Sequence, residues 1–137
     1  MNKVLGIIIM ALAIAIAVIP VFSDCQSQGK YLTTSTGAQV SMKCHWTGVA
    51  EIAVGVPLLA LGALIAVSRR KSNLFQLGIM GIILGVFVIL LPNKLIGVCS
   101  TPTMICHTFM NPSLTILGSL AIIISLITLL LARKLKD

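Results

Sequence analysis

The sequence predicts an all-α membrane protein, a bundle of four transmembrane helices. The first reason is composition: over 137 residues 58% are hydrophobic and only 9% charged, too few polar side chains to cover a soluble domain of that size. The second is pattern. Four apolar runs, residues 4–22, 48–68, 74–92 and 113–132, each meet the length of about 20 residues that a helix rising about 1.5 Å per residue needs to span a bilayer. The third is that the breaks between the runs are polar and hold most of the charge.

The first run follows Lys3, as a signal peptide would, but from Val4 to Phe22 it is longer than the usual apolar region of such a peptide, and no A-x-A site follows. It reads as a true span. Ten basic residues then orient the bundle. Lys3, Arg69, Arg70, Lys71, Arg133, Lys134 and Lys136 fall at the N-terminus, the connection between spans two and three, and the C-terminus; Lys30, Lys43 and Lys94 fall in the other two loops. Seven against three, with every Arg on one side, predicts both termini in the cytoplasm. The net charge of +7 is accordingly a topology signal and a contact with anionic head groups. It does not point to nucleic acid, which needs basic and aromatic residues interleaved on one surface.

An internal repeat organises the chain. Leu5-Gly6-Ile7 opens the first span and Pro20 ends it, as Leu77-Gly78-Ile79 opens the third and Pro92 ends it, fifteen residues from Leu to Pro each time. Each half continues with a Cys, a Met-x-Cys-His (Met42, Cys44, His45; Met104, Cys106, His107), an apolar span containing Gly55 or Gly118, and a basic stop. The expected architecture is two parallel helical hairpins, 1–73 with a long outer loop 23–47 and 74–137 with a short outer loop 93–112, forming one domain. The two Met-x-Cys-His segments should meet at its outer end.

All four cysteines, Cys25, Cys44, Cys99 and Cys106, lie in the outer loops. An even number of thiols on the oxidising side of a membrane reads as disulfides. Repeat logic pairs Cys25 with Cys44 and Cys99 with Cys106; cross-pairing of Cys25 with Cys99 and Cys44 with Cys106 stays open. A bridge over the 18 residues between Cys25 and Cys44 would restrain the unfolded loop by roughly 3 kcal/mol. Within that loop, Tyr31–Thr34 and Ala38–Ser41 flank Ser-Thr-Gly, a strand-pair signal.

Metal or haem binding is the rival chemistry. Met, Cys and His are soft or borderline ligands, and two facing copies of Met-x-Cys-His would suit Cu(I) or an iron porphyrin. With the cysteines oxidised, Met42, His45, Met104 and His107 remain as candidates. Neither C-x-x-C-H nor C-x-x-C occurs. Glu51 is the other candidate, a lone carboxylate about 6 Å inside the second span. A group at that depth marks function or a bundle-facing partner, although the first turn of a helix also favours a carboxylate, which would reach interfacial water or His45.

Trp46 reads as an interfacial anchor, Asn111-Pro112 as a helix start with Asn as N-cap, Pro57 as a kink, and Gly81/Gly85 as a close-packing G-x-x-x-G. No Ser-His-Asp set, H-E-x-x-H, phosphate loop or acidic pair is present. Only three acidic residues stand in the chain, which excludes most hydrolytic and proton-coupled chemistry.

MKCHWTGVAEIAVG with its basic stop, and CSTPTMIC followed by Asn-Pro, resemble an uncharacterised family of small bacterial four-span membrane proteins, over nearly the whole chain. The resemblance implies a multi-pass protein of the bacterial cytoplasmic membrane and no particular activity, with a place beside transporter permeases as an association. In topology alone the chain is similar to quinone-coupled thiol oxidases and vitamin K epoxide reductases, but lacks their redox-active C-x-x-C. The expected function is a non-enzymatic membrane subunit or accessory of a larger complex, in the lipid bilayer with other subunits or its own copies, its outer loops fixed by disulfides and with no cofactor. The alternative is a membrane thiol oxidoreductase, or a haem- or copper-binding redox protein built on the paired Met-x-Cys-His segments.

Overall fold

The computed structural model describes residues 1–134; Lys136, counted above among the basic residues, lies outside them. Four long helices carry the fold: α1 (Asn2–Ser23), α2 (Lys43–Val67), α3 (Lys71–Leu90) and α4 (Asn111–Lys134). Each is long and apolar enough to cross a membrane, and the chain is a multi-pass, all-α four-helix membrane protein. α2 starts five residues before the apolar run that announced it, because Lys43-Cys44-His45-Trp46-Thr47 is polar in composition yet helical in backbone.

Burial follows helical spacing. In α1 the inward residues are Gly6, Ile9, Ala13, Ile16 and Pro20; in α2 they are Cys44, Thr47, Gly48, Glu51, Gly55 and Leu58 onward. The opposite faces expose Ile7, Ile14, Val56 and Leu64, as expected where lipid tails replace water and association rests on close packing. α1 packs chiefly on α2, and α3 on α4. Glycines permit this. A Cβ on Gly6 would lie 2.5 Å from the Gly62 carbonyl oxygen, and one on Gly85 3.2 Å from that of Gly118. Gly85, from the expected G-x-x-x-G, thus meets the apolar-span glycine of the same hairpin. At the cytoplasmic end expected from the charges, Arg133 of α4 lies over the ring of Phe75 in α3, 5.8 Å from its centroid.

Two π-helical turns flank the second outer loop, Leu91–Leu95 continuing α3 and Cys106–Met110 leading into α4. Each adjoins a proline, Pro92 or Pro112, whose missing N–H removes an ordinary helical bond and whose ring crowds the preceding turn; a wider turn relieves both. The expected start of the fourth helix at an Asn111 N-cap is therefore corrected. The coil begins at Cys106, and the Asn111 side-chain oxygen is buried without a partner among the described residues instead of capping. α2 runs continuously through Pro57.

In the first outer loop β1 (Leu32–Thr33) and β2 (Gln39–Val40) pair antiparallel, Leu32 opposite Val40 and Thr33 opposite Gln39. Gly37 closes the turn at φ +80°, its N–H bonded to the Thr34 carbonyl at 2.8 Å. The strand pair stands exposed beyond the helix ends.

Candidate thiol metal centre

The end of the bundle opposite the chain termini gathers the four cysteines from four separate places. Cys25 follows the C-terminus of α1, Cys44 is the second residue of α2, Cys99 lies in the loop after α3, and Cys106 opens the turn into α4. Their Sγ atoms all lie within 4.8 Å of one another. The closest approaches are Cys25 to Cys106 at 3.0 Å, Cys44 to Cys99 at 3.4 Å and Cys25 to Cys99 at 3.6 Å. Cys25, Cys44 and Cys106 are buried, and Cys99 is half-buried at the accessible edge.

All four are free thiols. The shortest contacts join one hairpin to the other, so neither the within-hairpin clasp nor the cross-pairing of Cys25 with Cys99 and Cys44 with Cys106 describes the nearest neighbours. The repeat suggested the clasp because each half carries its own pair of cysteines; helix packing brings the ends of the two hairpins together, so that cysteines of different halves become nearest neighbours.

Polar contacts hold the loops that carry these thiols. Asp24 ends α1, its N–H bonded to the Pro20 carbonyl, and its carboxylate accepts the Ser27 N–H at 2.7 Å. The other carboxylate oxygen meets His45 Nδ1 at 2.9 Å. That pair ties the residue before Cys25 to the residue after Cys44. Burial works to raise the Asp24 carboxyl, but the bonds from His45 and Ser27 outweigh it and hold it below its ordinary range. Thr47, one turn into α2, donates to the Gly97 carbonyl at 2.6 Å. Gly97 adopts φ +83°, a conformation suited to glycine, and turns the chain toward Cys99.

The thiols differ electrically. Burial, then the neighbouring thiols, push Cys25 above its ordinary range. Burial also opposes ionisation of Cys99, but hydrogen bonds from Cys44, Cys25 and Cys106 outweigh it and lower the thiol below its ordinary value. Cys44 sits in the first turn of α2 and Cys106 opens the turn that leads into α4, where the helix dipole favours negative charge.

The two methionines of the repeated motif complete a six-sulfur group. Met42 Sδ lies 4.0 Å from Cys99 Sγ, and Met104 Sδ lies 4.0 Å from Cys25 Sγ. The histidines do not join it: His45 is engaged by Asp24, and His107 is exposed. Trp46 is 58% exposed, edge-on to His45, a position that fits an interfacial anchor. Glu51 is fully buried two turns below Cys44, and neither carboxylate oxygen has a partner among the described residues. The expectation that it reaches His45 is corrected, since Asp24 takes that ring. The contact of Asp24 with His45 is not among the sequence expectations; the adjacency of Asp24 to Cys25, across the loop from His45, is the signal that would point to it.

A family model described as a domain of unknown function, DUF4418, matches residues 7–131. Neither a curated protein nor a solved structure matches the chain.

Proposed function

We propose, from the premise that this chain belongs to the DUF4418 family, that it is a membrane protein that takes up and holds thiophilic metal through four cysteine thiolates at the outer end of its bundle. One observation carries the reading: the four Sγ atoms lie within 4.8 Å of one another. A metal–sulfur bond of about 2.3 Å in a tetrahedron gives sulfur–sulfur edges of about 3.8 Å; the three closest contacts, 3.0, 3.4 and 3.6 Å, lie just inside that edge and all separations fall within 4.8 Å, so small shifts of the side chains would admit an ion.

The surroundings support it. Two helix N-termini offset the charge of a thiolate group, and the half-buried Cys99 with its lowered thiol is the natural first contact for an incoming ion. Three sulfurs behind it are sealed from water, which favours retention. The distribution of basic residues supports cytoplasmic termini, which puts the site on the outer face of a bacterial cytoplasmic membrane. In that setting the protein acts as a binding subunit or accessory to other membrane proteins.

The 3.0 Å approach of Cys25 to Cys106 favours a second reading, thiol–disulfide exchange. One experiment separates them. Full-length protein, reduced and purified anaerobically in detergent, is titrated with Cd(II) and its thiolate-to-metal absorbance followed. The metal reading expects one Cd(II) per chain, lost on Cys→Ser substitution at the four positions. Absence of uptake by protein whose four thiols titrate as free overturns it, and a readily cycling disulfide in that protein supports the exchange reading.

A further inference from the structure

Four thiols satisfy a tetrahedral ion, yet the structure surrounds them with two further sulfurs, and the arrangement of all six is ordered. Sorted by distance, they form two sets. In one, Cys99 Sγ lies 3.4 Å from Cys44 Sγ and 4.0 Å from Met42 Sδ; in the other, Cys25 Sγ lies 3.0 Å from Cys106 Sγ and 4.0 Å from Met104 Sδ. Each set takes the Met-x-Cys of one hairpin and the leading cysteine of the other. The sets touch where Cys25 and Cys99 stand 3.6 Å apart.

We infer that the site is built for Cu(I), two ions per chain, each held by two thiolates and one methionine thioether. The inference rests on the four-thiol reading above and specifies its ligand. Thioether sulfur is a soft donor that selects Cu(I), whereas zinc sites draw on thiolate, imidazole and carboxylate. Bonds of about 2.3 Å in a trigonal plane give sulfur–sulfur edges of about 4.0 Å; each set holds one Met–Cys edge at 4.0 Å, and its Cys–Cys edge, 3.4 or 3.0 Å, opens when the ion enters. The neighbouring imidazoles are not part of either set, so the donors are sulfur alone.

Binding balances as an exchange of protons for metal. Four thiols and two Cu(I) ions give a four-thiolate, two-copper group of charge −2 and four protons, and copper keeps its oxidation state throughout. The residual charge sits at the N-termini of the coils leading into α2 and α4, whose dipoles favour it. Cys99 and the half-buried Met42 and Met104 are the sulfurs nearest the surface, so copper enters and protons leave by the same edge.

The test uses full-length reduced protein in detergent under anaerobic conditions, titrated with Cu(I) against a chromogenic Cu(I) chelator, with stoichiometry read by native mass spectrometry. Two Cu(I) but one Cd(II) per chain are expected. Met42→Leu and Met104→Leu each weaken retention of one copper, and the double variant weakens both by about tenfold or more, the scale on which even outer-shell groups act, while keeping its Cd(II). A single Cu(I) per wild-type chain, or a double variant that holds copper as tightly as wild type, overturns the inference. So does loss of Cd(II) from the double variant, which would make the methionines packing residues. Failure of wild type to bind either metal strikes the four-thiol reading itself.

Discussion

Thr47 donates its hydroxyl to the carbonyl of Gly97 across 2.6 Å, joining the second helix of one hairpin to the cysteine-bearing loop of the other. Both groups lie at the outer end of the bundle, and Thr47 is fully buried. The bond holds the loop that carries Cys99 against the helix that carries Cys44.

Thr47→Val keeps the shape and removes the donor, leaving the Gly97 carbonyl without this bond. A loss of about 1–2 kcal/mol is expected, read as a lower unfolding temperature in detergent, together with weaker Cd(II) retention. Thr47→Ser restores the donor and should recover most of both. Weakened stability with unchanged metal retention would show that the loop finds Cys99's position without this tether.

The Asp24–His45 pair predicts an acid limit. The Asp24 carboxyl is held below its ordinary range in the folded protein, so the unfolded chain binds its proton more readily. The stabilisation it brings is present above the unfolded value of about 3.9 and is lost as pH falls through the lower folded value. Thermal unfolding of reduced, metal-free protein should show a decline on the acid side that Asp24→Asn flattens. An identical acid limb in both proteins would place the origin elsewhere.

Oxidation should join the halves rather than clasp each one. With Cys25 nearest Cys106 and Cys44 close to Cys99, diamide treatment of the reduced protein is expected to form those two bridges. A specific protease site placed between Ser68 and Arg69 then yields fragments that migrate together on a denaturing gel until reductant is added. Fragments that separate without reductant, after all four thiols have been consumed, would establish within-hairpin pairing.

Glu51 occupies a fully buried position with both oxygens unpartnered. Replacing such a group by an apolar residue of similar volume removes a desolvation cost of about 1–3 kcal/mol. Glu51→Met is therefore expected to raise the unfolding temperature in detergent, and Glu51→Gln, which remains polar, to raise it less. A lower unfolding temperature for Glu51→Met would reveal an interaction of the carboxyl within the bundle.

Much of the fold was legible before any coordinate. Four spans, the strand pair about Ser35-Thr36-Gly37 and the close approach at Gly85 follow from local properties: run length, turn chemistry and the absence of a side chain. The polar first turn of α2 and the π-helical entry to α4 were not legible, because apolar periodicity is silent on polar residues and an Asn-Pro pair resembles a cap whether or not it serves as one.

The candidate site divides in the same way. Composition and repeat determined that four cysteines and two Met-x-Cys-His motifs share one end of the bundle, since four spans place alternate loops on the same side of the bilayer. Only the tertiary structure decided which sulfurs are neighbours. Those contacts span 55 to 81 residues, and their geometry is set by how closely glycine-faced helices pack and how two proline-adjoining turns redirect the chain. Local sequence holds no record of that. The same packing separated the motif's parts, taking methionine and cysteine into the sulfur group, His45 to Asp24 and His107 to the surface.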